Sequence, residues 1–502
     1  MRIVYALLLA VPVIGLAQAP PSLSSAPQET IEMGEAYVDS TTRFVKPIVP
    51  STGTRWFRHW HPKTFQTIGT GAPNALTASS GRSDTLATPG AKFPGISFSG
   101  LVPPDPSIGV GPAHIVQVVN TEIAFFTKGG TPEFQQSLDG NGFFAGVAET
   151  DFVFDPRAVY DQGAKRFIVI ALEQRDFPPN SAVLLAVSDD SNPHGTWYKY
   201  RIPTVINRGG QLYWWDYPTL AYNKDGIVIT GNMFSFTSSS AFGRSISIDK
   251  TPLLTGSTAQ GYGWFHDGYF TIQAARTSEG VSSTIYGISL ASTTRMRLFS
   301  WRNLKGVPIM TQGDLAVPAY LVFNGFVQSP GGTSIDAIGD RMMDASYRSG
   351  KLVCAHTVRV SNSQNRSMVR WYEVRFGSWP LSGSPRLHQS GNVALSGTNN
   401  LLMPAIAENG KGSISLVMTR SSGTVNPGIF YCSRALLDPL GTMGPLRHVV
   451  TSANSPNSAN SRWGDYFDVV IDPGDSAKLW GTGEYLQANR AWTTEIFSWS
   501  VN

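Results

Sequence analysis

Five aspartates each stand at the head of a short apolar strand. They are Asp105 (Asp-Pro-Ser-Ile-Gly-Val), Asp155 (Asp-Pro-Arg-Ala-Val-Tyr), Asp216 (Asp-Tyr-Pro-Thr-Leu-Ala-Tyr), Asp340 (Asp-Arg-Met-Met-Asp-Ala-Ser-Tyr) and Asp465 (Asp-Tyr-Phe-Asp-Val-Val-Ile). Carboxylates gathered from several strands repel one another, which raises some of their pKa values or recruits a cation. Oxygen ligands in number are what Ca²⁺ takes, so Ca²⁺ at an aspartate ring is the one cofactor this pattern admits. The same groups could instead accept hydrogen bonds from backbone N–H groups of their own or the next unit. Arginines lie beside the openings, namely Arg157, Arg276, Arg341 and Arg462. Their guanidinium forks match a carboxylate bidentately. The run Arg462-Trp-Gly-Asp-Tyr466 adds two rings, Trp463 and Tyr466, which suit either the apolar face of a sugar or packing at a seam. These eleven residues are the ligand candidates, and none is assigned a catalytic role.

The elements that must position them repeat. After most openings come a turn and a second apolar strand: Ile115–Val119, Phe167–Ala171, Ile227–Thr230, Leu352–Ala355 and Leu479–Gly481. Units begin near Asp105, Asp155, Asp216, Asp267, Asp340, Met403 and Asp465, about 57 residues apart. Short strands at such a period predict an all-β chain folded as a β-propeller of seven four-stranded blades. Six blades with a long insertion, or eight, also satisfy the spacing. The innermost strand of each blade would line a central channel. A residue repeated at one point of that strand would then ring one mouth of the channel.

The chain has 502 residues, 15% of them charged, and a net charge of +4. No Lys/Arg run stands out, which excludes a nucleic-acid groove. Arg2, the apolar Val4–Leu16 and the small-x-small Ala17-Gln-Ala19 read as a signal peptide over residues 1–19. The apolar run is short for a membrane span. The mature chain is therefore expected to be extracellular or periplasmic, monomeric and without a membrane span. Residues 20–95 are rich in Ser, Thr, Ala, Gly and Pro and read as a flexible leader. The propeller occupies 96–502. Within the leader, Thr54–His61 carries aromatics that could dock on the body, and His59 and His61 could chelate a metal. The two cysteines, Cys354 and Cys432, allow one bridge or two buried thiols. His114, His266 and His356 read as packing or turn residues. No Gly-x-Ser-x-Gly, His-Glu-x-x-His, P-loop or dinucleotide fingerprint occurs, which argues against ordinary serine hydrolases, zinc proteases and nucleotide enzymes.

Pro104–Asn120, Phe154–Asp161 and Arg462–Tyr466 resemble secreted bacterial propeller proteins of sialidase-like and BNR-repeat type, over about residues 97 to 501. Ser188–Trp197 resembles Leu437–Met443, and both approach the Asp-box of that group, which is a turn on the blade rim there. The resemblance implies a propeller and leaves activity open, because propellers host hydrolases, lyases and binding proteins alike. A sialidase would need three arginines on one substrate carboxylate, a Tyr–Glu pair and an acid Asp. Tyr160, Tyr217, Tyr466 and Tyr485, with Glu173 or Glu484, supply such types. The hallmark-like Tyr200-Arg-Ile-Pro203 follows the Asp-box-like turn, whereas that group places it before, so Arg201 reads as an outer-strand residue. The function expected is binding of an extracellular glycan or protein at one channel mouth, with a sialidase-like glycoside hydrolase as the alternative.

Overall fold

A computed structural model describes residues 23–40, 55–56, 87–150, 152–277, 279, 281–457 and 461–502. The expected signal peptide and the His59/His61 pair lie outside the described residues. The chain forms seven small antiparallel sheets in chain order, a seven-bladed β-propeller. The first blade runs outward through Ser107–Val110, His114–Val119, Glu122–Thr127 and Pro132–Ser137. The inner strands of the next two are Val153–Asp161 and Gln211–Tyr222. Middle strands such as Phe167–Leu172 and Ala182–Val187 are continuous apolar runs because both of their faces are buried between neighbouring blades.

The fourth blade departs from the regular pattern. Its inner strand is only Gln273–Ala274. The chain then crosses over, and Arg276–Thr277 pairs in parallel with Met342–Arg348, the main inner strand of the fifth blade. Asp267, expected to open this unit, lies instead in an exposed turn paired with Arg208. The sixth and seventh blades begin with Asn400–Glu408 and Asp468–Asp472.

The ring closes through the N-terminal side of the chain. Thr88–Ser97 is the outermost strand of the seventh blade and pairs with Trp492–Ser500. Part of the expected leader is also ordered. Leu23–Ser25 adds to the outer edge of the fourth blade, Glu29–Met33 to the third and Tyr37–Ser40 to the second. Arg55–Trp56 pairs in parallel with Leu101–Val102. An open sheet edge presents unpaired N–H and C=O groups that a segment of almost any composition can satisfy, so this pairing leaves no hydrophobic period to read.

One local device recurs in the inner strands. In the second, third and sixth blades the ladder breaks at a two-residue bulge, Asp155-Pro156, Tyr217-Pro218 and Met403-Pro404. The first residue of each is left-handed, as is Asp105 ahead of Pro106 (φ 48–53°). In each case a side-chain oxygen of the inner strand, at Ser107 and Thr219 two residues after the left-handed one, takes a backbone N–H of the next blade. Ser107 Oγ accepts from Ala158 at 3.1 Å, Thr219 Oγ1 from Ala274 at 3.0 Å, Asp344 Oδ2 from Ile406 at 2.7 Å and Asp468 Oδ2 from Ile108 at 3.0 Å. These contacts stitch the blades together around the channel.

Cys354 and Cys432 lie in neighbouring blades as buried free thiols. Among the described residues no helix is long and apolar enough to cross a membrane.

Candidate functional site

The bulges bring four of the five aspartates to one mouth. Asp105 Oδ1 accepts the Asp465 N–H at 2.5 Å, and its Oδ2 accepts from Asn120 Nδ2 at 2.7 Å. Asn120 Oδ1 in turn accepts the Asp155 N–H at 2.6 Å. Asp155 Oδ2 and Asp216 Oδ1 share the Tyr217 N–H, at 3.0 and 2.9 Å. Asp336 and Glu484 join the same electrostatic cluster. Arg157, Arg341 and Arg462 face it.

Burial sets the protonation of this cluster. Burial first, then Asp465, pushes Asp105 up to about 7. Asp155 lies well above the usual carboxylate range, through burial and then the charges of Asp216, Asp105 and Asp465, and it hydrogen-bonds the Asp216 carboxyl. One proton held between two carboxyls is the usual outcome of such crowding. Burial and Asp105 also raise Glu484 well above its ordinary value. At pH 7 Asp155 and Glu484 are therefore largely neutral and Asp105 about half protonated, and the half-buried Asp216, Asp336, Arg341, Arg462 and Asp465 form the rim.

The aromatic candidates are structural. Trp463 and Tyr466 are each 1% exposed and offer no face to a sugar. Trp463 Nε1 donates to Thr419 Oγ1 at 3.0 Å, while Tyr466 Oη donates to Pro156 O at 2.8 Å beneath the Arg157 guanidinium, 3.2 Å from the ring centre. Tyr217 Oη donates across the channel to Asp465 O at 2.9 Å. These rings share one apolar cluster with Val327 and Ile335 of the chain between the fourth and fifth blades. Its hairpin, Phe326–Gln328 with Ser334–Asp336, is tied to Ser461.

The remaining candidates sit elsewhere. Asp340 accepts from Tyr320 Oη at 2.9 Å, away from the other four. Arg276 lies inside the channel, bound by both Asp344 oxygens at 2.7 and 2.9 Å and paired with Asp468. Arg157, Arg276 and Arg341 thus have different partners. Arg157 donates to Pro218 O and lies on Tyr466, Arg276 holds two carboxylates, and Arg341 lies over Tyr217. The three do not share one carboxylate-sized site. Arg201 lies on the outer strand of the second blade, paired with Glu173 and Glu149. The aspartate oxygens mostly hold N–H donors, and among the described residues no three channel carboxylates come within ion-binding distance of one another.

Sequence reasoning missed Asp336, Asp344 and Asp468. The last two stand within the quoted openings, three or four residues after Asp465 and Asp340. Asp336 lies in the irregular hairpin and has no sequence signature. A separate shallow depression opens about five residues further along the inner strands, at the other end of the channel. Its walls include Val110, Tyr160, Tyr222 and Ile471.

No protein-family model and no curated protein matches the chain. Solved structures are similar in fold. The α-L-arabinofuranosidase of Fusarium graminearum is 9% identical with a TM-score of 0.38, covering 82% of this chain and 98% of that one. The Trypanosoma rangeli sialidase is 11% identical with a TM-score of 0.33, covering 74% and 57%. The Dos1 propeller is 11% identical with a TM-score of 0.36, covering 84% and 96%. At these values the likeness says nothing about activity.

Proposed function

We propose that this propeller is exported and binds an extracellular glycan at the rim formed by Asp216, Asp336, Arg341, Arg462 and Asp465. The observation that carries this reading is the mixed ring of half-exposed carboxylates and guanidinium groups over a closed, buried floor. Carboxylates accept and guanidinium groups donate in pairs, which suits neighbouring sugar hydroxyls. The depression at the other end of the channel is a weaker candidate, because the guanidinium reaching it, Arg276, is held by two carboxylates, whereas at the rim Arg462 pairs with Asp465 alone and Arg341 lies over Tyr217.

A second reading, glycoside hydrolysis, draws on the proton held between Asp155 and Asp216. Glycosidic bond cleavage also uses a neutral carboxyl and an ionised one, but set about 5 Å or more apart across the bond rather than hydrogen-bonded to each other, so this reading ranks second. A glycan array and a panel of fluorogenic glycosides, run with the wild type and Asp216→Asn, test both. Binding that weakens at least tenfold in the variant, without turnover in either, supports the binding site. Turnover that Asp216→Asn abolishes replaces it with the hydrolase. Binding unaffected by Asp216→Asn and by Arg462→Gln removes the rim from consideration.

A further inference from the structure

Outside the channel, three side chains from two blades meet at the outer seam of the ring. His114 begins the second strand of the first blade, and Glu133 lies on that blade's outermost strand. His194 comes from the second blade, in the turn between Asn180–Ser188 and Thr196–Pro203. Both imidazole Nε2 atoms face one carboxylate oxygen, Glu133 Oε2, at 3.4 Å from His114 and 3.1 Å from His194. The three ligand atoms all lie within 4.8 Å of one another.

The turn that carries His194 is rigidly built. Asp189 Oδ1 accepts the Thr196 N–H at 3.0 Å, and Asn192 Oδ1 accepts the His194 N–H at 3.1 Å. Trp197 Nε1 donates to Pro193 O at 2.9 Å. The His194 ring stands edge-on to Phe125, 5.4 Å between centroids, and Phe125 is stacked on both Phe134 and Trp197. His114 Nδ1 is buried without a hydrogen-bond partner, so that ring's polar contact lies on the Nε2 side, toward Glu133.

We propose that His114, Glu133 and His194 bind a zinc-class divalent ion that straps the first blade to the second. Two imidazole nitrogens and one carboxylate oxygen are the donor set that Zn²⁺ accepts with its fourth position left open. Ca²⁺, which takes six to eight oxygens, is not suited to it. The side chains are 19, 28 and 29% exposed, which leaves a path for the ion and for a water in the fourth position. The asp-turn thereby gains a role beyond closing its hairpin: it delivers one ligand across the seam.

The test is calorimetric titration of Zn²⁺ into the chelator-treated full chain, with thermal melting in parallel. One ion per chain, and a rise in Tm with Zn²⁺ but not with Ca²⁺, are expected. His194→Gln and Glu133→Gln should each weaken binding tenfold or more, while His59→Ala/His61→Ala should leave it intact. His194 lies in a surface turn, and an unchanged near-ultraviolet circular dichroism spectrum shows that its variant is folded. Zn²⁺ binding that persists in a folded His194→Gln chain, or is lost only in the His59/His61 variant, overturns the proposal. So does the absence of binding to the wild type at 100 μM Zn²⁺.

Discussion

Arg276→Ala should be among the most destabilising single substitutions in this chain. The Arg276 guanidinium spans the channel, holding Asp344 of the fifth blade and Asp468 of the seventh and donating to Val469 O at 3.2 Å. Asp468 has no exposed side-chain surface and Asp344 only 10%. Removing one partner of a buried ion pair costs about 3–5 kcal/mol, chiefly because the other charge stays behind unpaired. Two carboxylates are stranded here, so the upper end of that range is expected, against a total stability of about 5–15 kcal/mol for a typical fold. Urea unfolding at pH 7 measures it. The loss should also depend on pH. Burial already raises the Asp344 pKa, and Arg276 opposes that shift. Without Arg276 the folded-state pKa climbs further, so the folded protein binds protons that the unfolded chain releases. Stability then falls as pH rises through the folded pKa, and the deficit relative to wild type should be smaller at pH 4.5 than at pH 7. A deficit under about 1 kcal/mol at pH 7, or one that does not shrink on acidification, would refute the assignment of this network as the channel's electrostatic tie.

Asp105, raised to about 7 mainly by burial and next by Asp465, should make the wild type lose stability as pH rises from about 4 to about 7; Asp105→Asn should flatten that part of a Tm-against-pH curve. Deleting residues up to Ser40 removes three edge strands and should lower the Tm by a few degrees, whereas deletion through Ser97 takes the closing strand and should abolish cooperative unfolding as seen by circular dichroism. Burial pushes the Cys432 thiol up to about 12 and Cys354 higher still, so neither should react with a thiol reagent at pH 8 until denaturant is added.

The repeat was legible in sequence because a structural requirement repeats, although the requirement is not the aspartate. What recurs is a left-handed residue, mostly before proline, and Asp105, Asp155, Tyr217 and Met403 all serve. Asp tolerates that conformation better than most residues, hence its frequency. Asp216 therefore stands one residue ahead of its assigned place, and Met403, although not an aspartate, is a full member. The stitching carboxylates Asp344 and Asp468 were hidden in plain view. A sequence does not say which of two nearby aspartates faces the next blade. Trp463 and Tyr466 are buried partly against the hairpin at 326–336, whose irregular sequence gives no hint that it shares their apolar cluster. His114 and His194 are 80 residues apart, and only the curvature of the ring makes them neighbours.

The strand that closes the ring has a consequence for how the chain must be made. Thr88–Ser97 is synthesised about 400 residues ahead of its partner, Trp492–Ser500. The edge strands at 23–40 likewise wait for partners between 196 and 316. Until Trp492–Ser500 arrives, the seventh blade lacks a strand and both sides of the ring's seam are open edges. Closure is thus a late event of high contact order, joining segments about 400 residues apart. A chain truncated before Trp492 would yield not a slightly smaller propeller but an open one, with unpaired strand edges available to any neighbour.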